Sequence, residues 1–311
     1  MGINVLSLFD GMSCGQIALG RAGIKYDKYF ASEIKPLGIK VTQLNFPDTV
    51  QLGSVTKITA EDLPKINLLI GGSPCQNLSI AMIKKHRKGL EGSKSELFYE
   101  YYRLLNDTKP DYFLLENVGS MSNKDRDVIT ELLEIEPVKI NSKLVSAQLR
   151  NRLYWTNIPD VTQPDDKGIL LNDILTDDGW SDREKARCLL ESDSRPVTTP
   201  IKMFHRYYST GFTTMIFKSE THFNLCTGHY EENFKGLSAK EIDKKLSEDN
   251  INIDVYNGIR VMNQEELEMC QTVPVGYTNL LTRNEAAGLL GDGWTVDVIA
   301  HIFKGLLNEN L

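Results

Sequence analysis

No run in this chain approaches the roughly 18 consecutive apolar residues that a helix needs to cross a bilayer, which excludes a helical membrane protein. The opening Met-Gly-Ile-Asn-Val lacks the basic and then apolar plan of a secretion signal and reads as the start of a buried strand. Cysteine is sparse and scattered: Cys14, Cys75, Cys188, Cys226 and Cys270 form no CxxC pair. That argues against a disulfide scaffold or structural zinc and suits a reducing, cytosolic compartment. No His/Cys/carboxylate cluster has ligand spacing, so no metal is expected. Internal repeats and low-complexity tracts are also missing.

Positive charge is in short supply overall, with a net charge of −7. The distribution matters more than the sum. Lys84, Lys85, Arg87 and Lys88, with His86 among them, form a dense basic run, while much of the acid lies between Glu231 and Asp254. Phosphate contacts supply much of the affinity of proteins for nucleic acids. The basic run follows Cys75 closely and is therefore read as a DNA-facing loop, against the plain alternative of a solvated surface. Composition is otherwise that of a globular protein, 41% hydrophobic and 25% charged. A chain of 311 residues can bury the core of one large domain, or of one large and one small.

Residues 3–9 (INVLSLF), 28–33 (KYFASE), 67–71, 111–116 (DYFLLE) and 152–157 (RLYWTN) read as strands. Helical patterns lie near 16–23, 36–45, 95–107 and 124–134, the first ending at a glycine suited to a C-cap. Strands alternating with helices predict an α/β fold with a mostly parallel, Rossmann-like sheet. Ligands then sit beyond the carboxyl ends of the strands, where the loops starting at Asp10, Glu33, Gly72 and Glu116 should converge. After about residue 160 periodicity weakens. Residues 165–258 are read as a small inserted domain, and residues 1–164 with 259–311 as the catalytic and cofactor-binding domain. The segment 291–303 (GDGWTVDVIAHIF) reads as a loop followed by a helix.

Three motifs carry candidate chemistry. In Gly71-Gly72-Ser73-Pro74-Cys75-Gln76, the proline holds Cys75 on a rigid turn at a strand end, where a thiol can act as a nucleophile. In Leu114-Leu115-Glu116-Asn117-Val118, a carboxylate closes an apolar strand, and desolvation should favour its protonated form and proton sharing. In Gln148-Leu149-Arg150-Asn151-Arg152, extended backbone would put Gln148, Arg150 and Arg152 on one face, suited to an anion or a base carbonyl. Each has a plain alternative: an inert buried cysteine, a helix cap, an edge strand with solvated charges. Residues 9–15 (FDGMSCG) lie between strand and helix as an adenosyl site would, although they do not match GxGxxG. Glu33, ending the next strand, is placed to accept from ribose hydroxyls.

The order of these pieces, FDGMSCG, Glu33, GGSPCQNLS, ENV, QLRNR and GDGWTVDV, resembles the C5-cytosine DNA methyltransferase family over nearly all of residues 4–160 and 259–303. Residues 88–121 look most like the vertebrate de novo enzymes, whereas SPCQ is typical of bacterial and phage ones. The resemblance implies that Cys75 adds to C6 of a flipped cytosine, Glu116 holds N3 and shares a proton, Arg152 contacts O2, and Arg150 and Gln148 brace the site. It implies S-adenosyl-L-methionine against Phe9, Asp10, Gly11, Met12, Ser13 and Cys14. Glu33, Ile34, Ser54, Val55, Pro74, Asp292, Gly293 and Trp294 complete that site. Where the family usually has an acid near the adenine amino group this chain has Ser54, which implies weaker cofactor binding.

Double-stranded DNA is the implied partner. Gln76 and the basic run would meet it at the loop, and Arg195, His205, Arg206 and Lys218 would read base edges from the insert. The resemblance to the de novo enzymes also implies a homodimer contact through Phe98-Tyr99, against the alternative that both are core residues. Two competing readings are a transfer-RNA methyltransferase and an inactive DNA-binding paralogue. The RNA branch has PPCQ where this chain has SPCQ, and the joint presence of Cys75, Glu116, Arg150 and Arg152 disfavours an inactive protein.

Overall fold

The computed structural model describes residues 2–74, 97–195 and 199–308. Seven strands form one sheet: β1 (Ile3–Leu8), β2 (Tyr26–Ser32), β3 (Val50–Gln51), β4 (Leu68–Gly72), β5 (Tyr112–Val118), β6 (Val138–Asn141) and β7 (Asn151–Thr156). Their spatial order is β3-β2-β1-β4-β5-β7-β6. The first five run parallel, while β7 is antiparallel to both β5 and β6. The expected α/β, Rossmann-like class is therefore observed. The short β3 and β6 were not anticipated, and β5 runs two residues past Glu116.

Helices cover both faces, so successive strand residues enter two different cores. Val5, Leu68, Ile70, Leu114 and Tyr154 face one core. It is completed by α1 (Cys14–Ala22), α8 (Gln264–Cys270), α9 (Arg283–Asp292) and α10 (Val296–Phe303). Leu6, Leu8, Leu69, Phe113, Leu115, Leu153 and Trp155 face the other, against α3 (Leu97–Thr108) and α4 (Asn123–Leu133). α2 (Pro36–Asn45) sets Val41 in the first core. Helix α1 ends as expected at Gly23, whose φ of 75° lets its N–H reach the Gly20 carbonyl. Phe98 is 0% exposed in the second core and Tyr99 is 44% exposed. The subunit contact expected of this pair is not supported, because the larger share of it is spent on α3 packing.

A third core gathers residues 201–259 around α5 (Pro200–Thr210), α6 (Glu220–Asn233) and α7 (Ala239–Glu248). Its centre is aromatic, with Phe204 in ring contact with Tyr207, Phe217, Tyr230 and Tyr256. Helix α5 follows from the spacing of Ile201, Phe204 and Tyr207, which share one face. Thr199 caps its start and Gly211, at φ 65°, its end. Leu171, Ala186, Leu189 and Ile216 pack into the first core instead. Among the described residues no helix is long and apolar enough to cross a membrane, and no group of His, Cys, Asp or Glu could hold a metal ion.

Candidate active site

Because β1, β2, β4 and β5 are parallel, their carboxyl ends share one edge of the sheet. Gly72, the last residue of β4, lies in register with Glu116 on β5. A side chain there would displace the pair: a Cβ on Gly72 would stand 2.9 Å from Glu116 Oε2 and 2.8 Å from Trp294 Nε1. On the other side of β5, Val118 pairs with Arg152 of β7. Residues 116 and 118 share a face, so Arg152 is a diagonal neighbour of Glu116 and long enough to reach back to it. Arg152 Nε lies 2.7 Å from Glu116 Oε1, and the Trp294 indole N–H donates to Oε2 at 3.1 Å. The carboxylate is thus bracketed by a cation and a neutral donor, with only 10% of the side chain exposed.

Asn117 holds the residue that follows β4. Its amide donates to Ser73 Oγ at 3.0 Å and to the Ser73 carbonyl at 3.3 Å. Pro74 follows, and the expected nucleophile Cys75 and DNA contacts Gln76, Lys84, Lys85, Arg87 and Lys88 lie outside the described residues. Asn117 was not singled out in the sequence, although it stands within the ENV motif.

Gln148, Arg150 and Arg152 do turn to the same side, but only Arg152 reaches Glu116. Arg150 is 3% exposed and donates to the carbonyls of Leu189, Gly291 and Gly293 at 3.1, 3.1 and 2.7 Å. It clamps the turn that carries Trp294. Gln148 donates to the Cys270 carbonyl and to Gln271 Oε1 at 2.6 and 2.8 Å. Gln271 in turn donates to the Leu290 carbonyl and accepts from Thr295, which accepts from Ser142. Every member of this network is nearly solvent-free and bonded, the condition for a stable buried polar cluster. Gln271 and Ser142 gave no signal in the sequence, being single polar residues in unremarkable contexts, and Thr295 was present in the GDGWTVDV motif but not singled out.

Cys188 was also missed. Its sulfur lies 3.4 Å from Arg150 Nη1 and 3.9 Å from Arg152 Nη2. Burial pushes this thiol up, but the two guanidiniums outweigh burial and hold it below its ordinary value.

At the ends of β1 and β2, Phe9, Gly11 and Ser13 all take positive φ, folding residues 9–13 into a tight loop. Glu33 Oε2 accepts from the Gly11 N–H at 2.8 Å and Oε1 from the Ile34 and Lys35 N–H groups at 2.7 Å. Gly38 is forced, since a Cβ there would strike the Gly11 carbonyl oxygen. Asp10 accepts from Tyr29 Oη at 2.7 Å and from Ser13 Oγ, and burial raises its pKa. Met12 is buried, with its carbonyl on Tyr277 Oη. Burial pushes the Cys14 thiol up to about 12, so it is inert. Ile34 is 69% exposed beside Glu33, an apolar lip fit for an adenine face, with a carboxylate beside it that has lone pairs left for hydroxyl groups. The residues present fit an adenosyl cofactor. Ser54 Oγ is 2.9 Å from Thr56 Oγ1, Val55 is buried in the second core, and Asp292 is paired with Lys35 at 2.5 Å.

Arg195 and Arg206 line one cavity of about 220 Å³ together with Lys202, Arg283 and Asp193. His205 instead turns its Nδ1 to Tyr230 Oη at 2.6 Å. Lys218 is exposed, and its stem lies across Gly258, whose φ is 96°.

A family sequence model for C-5 cytosine-specific DNA methylase matches residues 3–308. The orphan methyltransferase M.SPRI of Bacillus phage SPR is 32% identical over 216 residues, 65% of this chain and 46% of that protein. The type II methyltransferase M.NgoBV of Neisseria gonorrhoeae is 34% identical over 175 residues, 50% of this chain and 41% of that one. The matched region thus spans less than half the length of these curated relatives. Among solved structures, a variant of Spodoptera frugiperda DNMT2 superposes with a TM-score of 0.70 over 98% of this chain and 100% of that one, at 18% identity, which shows a shared fold. On the family match over residues 3–308, this chain belongs to the C-5 cytosine-specific DNA methylase family.

Proposed function

We propose that this chain is a DNA cytosine-5 methyltransferase that uses S-adenosyl-L-methionine. The observation that carries the reading is the bracketed Glu116. A carboxylate held by Arg152 and Trp294 stands in register with Gly72, three residues before the cysteine of the SPCQ motif.

Cytosine C5 is a poor nucleophile. Addition of the Cys75 thiolate to C6 places electron density on C5, while Glu116, once it carries a proton, donates it or a hydrogen bond to N3 and neutralises the ring. Arg152, already on Glu116, would contact the adjacent carbonyl O2. The cofactor, when bound, supplies an electrophilic methyl group. Glu33 and Ile34 would hold its ribose and adenine, and the 9–13 loop its amino-acid end. Once C5 is methylated, a water removes the C5 proton, the C6–sulfur bond breaks to return the thiolate, and the N3 proton goes back to Glu116. The base must leave its stack first, at a cost of a few kcal/mol. We assign target recognition to the unit built on residues 201–259, whose neighbouring cavity gathers Arg195, Lys202, Arg206 and Arg283.

Duplex DNA carrying 5-fluorocytosine tests the reading, because fluorine at C5 blocks the last step. Incubation with cofactor should leave a denaturation-resistant adduct with the wild type and none with Cys75→Ser. An adduct formed only on RNA would move the substrate to RNA, and no adduct on either would overturn the proposal.

A further inference from the structure

We infer that Cys188 is a positioning residue for Arg152, holding the outer end of the guanidinium whose inner nitrogen grips Glu116. The inference deepens the proposed function and rests on it.

Each nitrogen of Arg152 has an identifiable partner. Nε meets Glu116 Oε1 at 2.7 Å, Nη1 the Asn151 carbonyl at 2.9 Å, and Nη2 the Cys188 sulfur at 3.9 Å. The first two belong to the sheet itself. The third comes from the segment that leads toward the small unit, and that segment is fastened where it passes the arginines. Ala186 pairs with Gln148 as an isolated parallel bridge. The Leu149 N–H bonds the Ala186 carbonyl at 2.8 Å, and Arg150 holds the Leu189 carbonyl at 3.1 Å. The sulfur's position is therefore defined by backbone on both sides.

Sulfur is a weak acceptor when protonated and a much stronger one as a thiolate beside a guanidinium. Two cations face this sulfur from the 148–152 segment, Arg150 and Arg152, with Glu116 of β5 behind the second. Arg187 on its own segment, Asp193 beyond it and Arg283 of α9 line the small cavity next to it. Arginines outnumber carboxylates around the site, which favours the anionic sulfur. Its partial exposure leaves it open to reagents. A thiolate here would keep Arg152 fanned between Glu116 and Cys188, and loss of that anion would remove one of the contacts that fix the angle of the guanidinium about its Nε anchor.

The contact can be read without turnover. Iodoacetamide alkylation of Cys188, followed by peptide mass mapping across a pH series, reports the thiolate fraction. In Arg152→Met the alkylation profile should move up by on the order of one pH unit, and an unmoved profile overturns the inference. Methyl transfer reads the consequence. Cys188→Ala should lower kcat roughly tenfold, the equivalent of about 1.4 kcal/mol, with an unchanged Kd for S-adenosyl-L-methionine. That deficit should shrink as pH falls, because the protonated wild-type thiol no longer holds the guanidinium. A deficit equal at every pH, or one confined to cofactor Kd, marks a merely structural cysteine and overturns the inference. If the wild type transfers no methyl group to DNA, the proposed function falls, and the alkylation profile still decides the contact.

Discussion

Glu116 Oε1 stands 2.7 Å from Arg152 Nε, although the two residues arrive from strands that run in opposite directions. Both oxygens of the acid are engaged, the second by the Trp294 indole. Glu116→Gln keeps the shape and removes the proton-sharing carboxyl, so methyl transfer should fall by roughly 10²-fold or more. Arg152→Ala should fall comparably while leaving S-adenosyl-L-methionine affinity within about twofold of wild type, since the residues proposed to hold its ribose and adenine are at the end of β2, away from Arg152. Tritium transfer from labelled cofactor and titration calorimetry check the pair.

Arg150 has a different job in spite of its place in the same motif. It satisfies three buried carbonyls and touches no group that would meet substrate. Arg150→Ala should cost about 3 kcal/mol of stability, because buried acceptors lose a charged donor. Arg150→Lys should not recover it, since an ammonium cannot fork between carbonyls on two segments. Urea unfolding midpoints at constant m-value measure both.

Phe98 is packed with Tyr101 and Leu104 beneath the sheet. Phe98→Ala should leave a cavity that lowers stability by about 3–5 kcal/mol. Light scattering of the folded fraction should give the same mass as the wild type. A change in mass with stability intact would restore a role for this residue in assembly.

Asp10 makes stability depend on pH in the acid range. Burial raises its folded pKa above the ordinary 3.8, so the folded chain keeps a proton that the unfolded chain has already released. That contribution is whole below the unfolded value and is lost as pH rises through the folded one. Asp10→Asn, which cannot ionise, should therefore gain stability relative to wild type as pH rises from 3.8 toward neutrality. Chemical denaturation of both proteins at several pH values checks the sign.

The parallel half of the sheet was legible because strands buried on both faces read as apolar runs, and the loops after them carry the chemistry-bearing residues. β3 and β6 were not, since Val50–Gln51 and Val138–Asn141 are too short to show a period. The direction of β7 was hidden as well, because alternation of side chains is the same whichever way a strand runs. Alternation did place Arg150 and Arg152 on one side, but not what each would grip. The partners of Arg150 are set by tertiary contacts with residues 189–293. Trp294 was expected at the cofactor's edge; its bond to Glu116 spans 178 residues of sequence.

A sheet with every strand parallel would line this edge only with residues that end strands. By reversing one strand, the chain brings the beginning of β7 to the rim where β5 finishes, so the Arg152 guanidinium and the Glu116 carboxylate meet without any loop between them. Such a junction has no slack. A slip of β7 by one residue against β5 would turn the guanidinium toward Trp155's core and leave Glu116 without its neighbour.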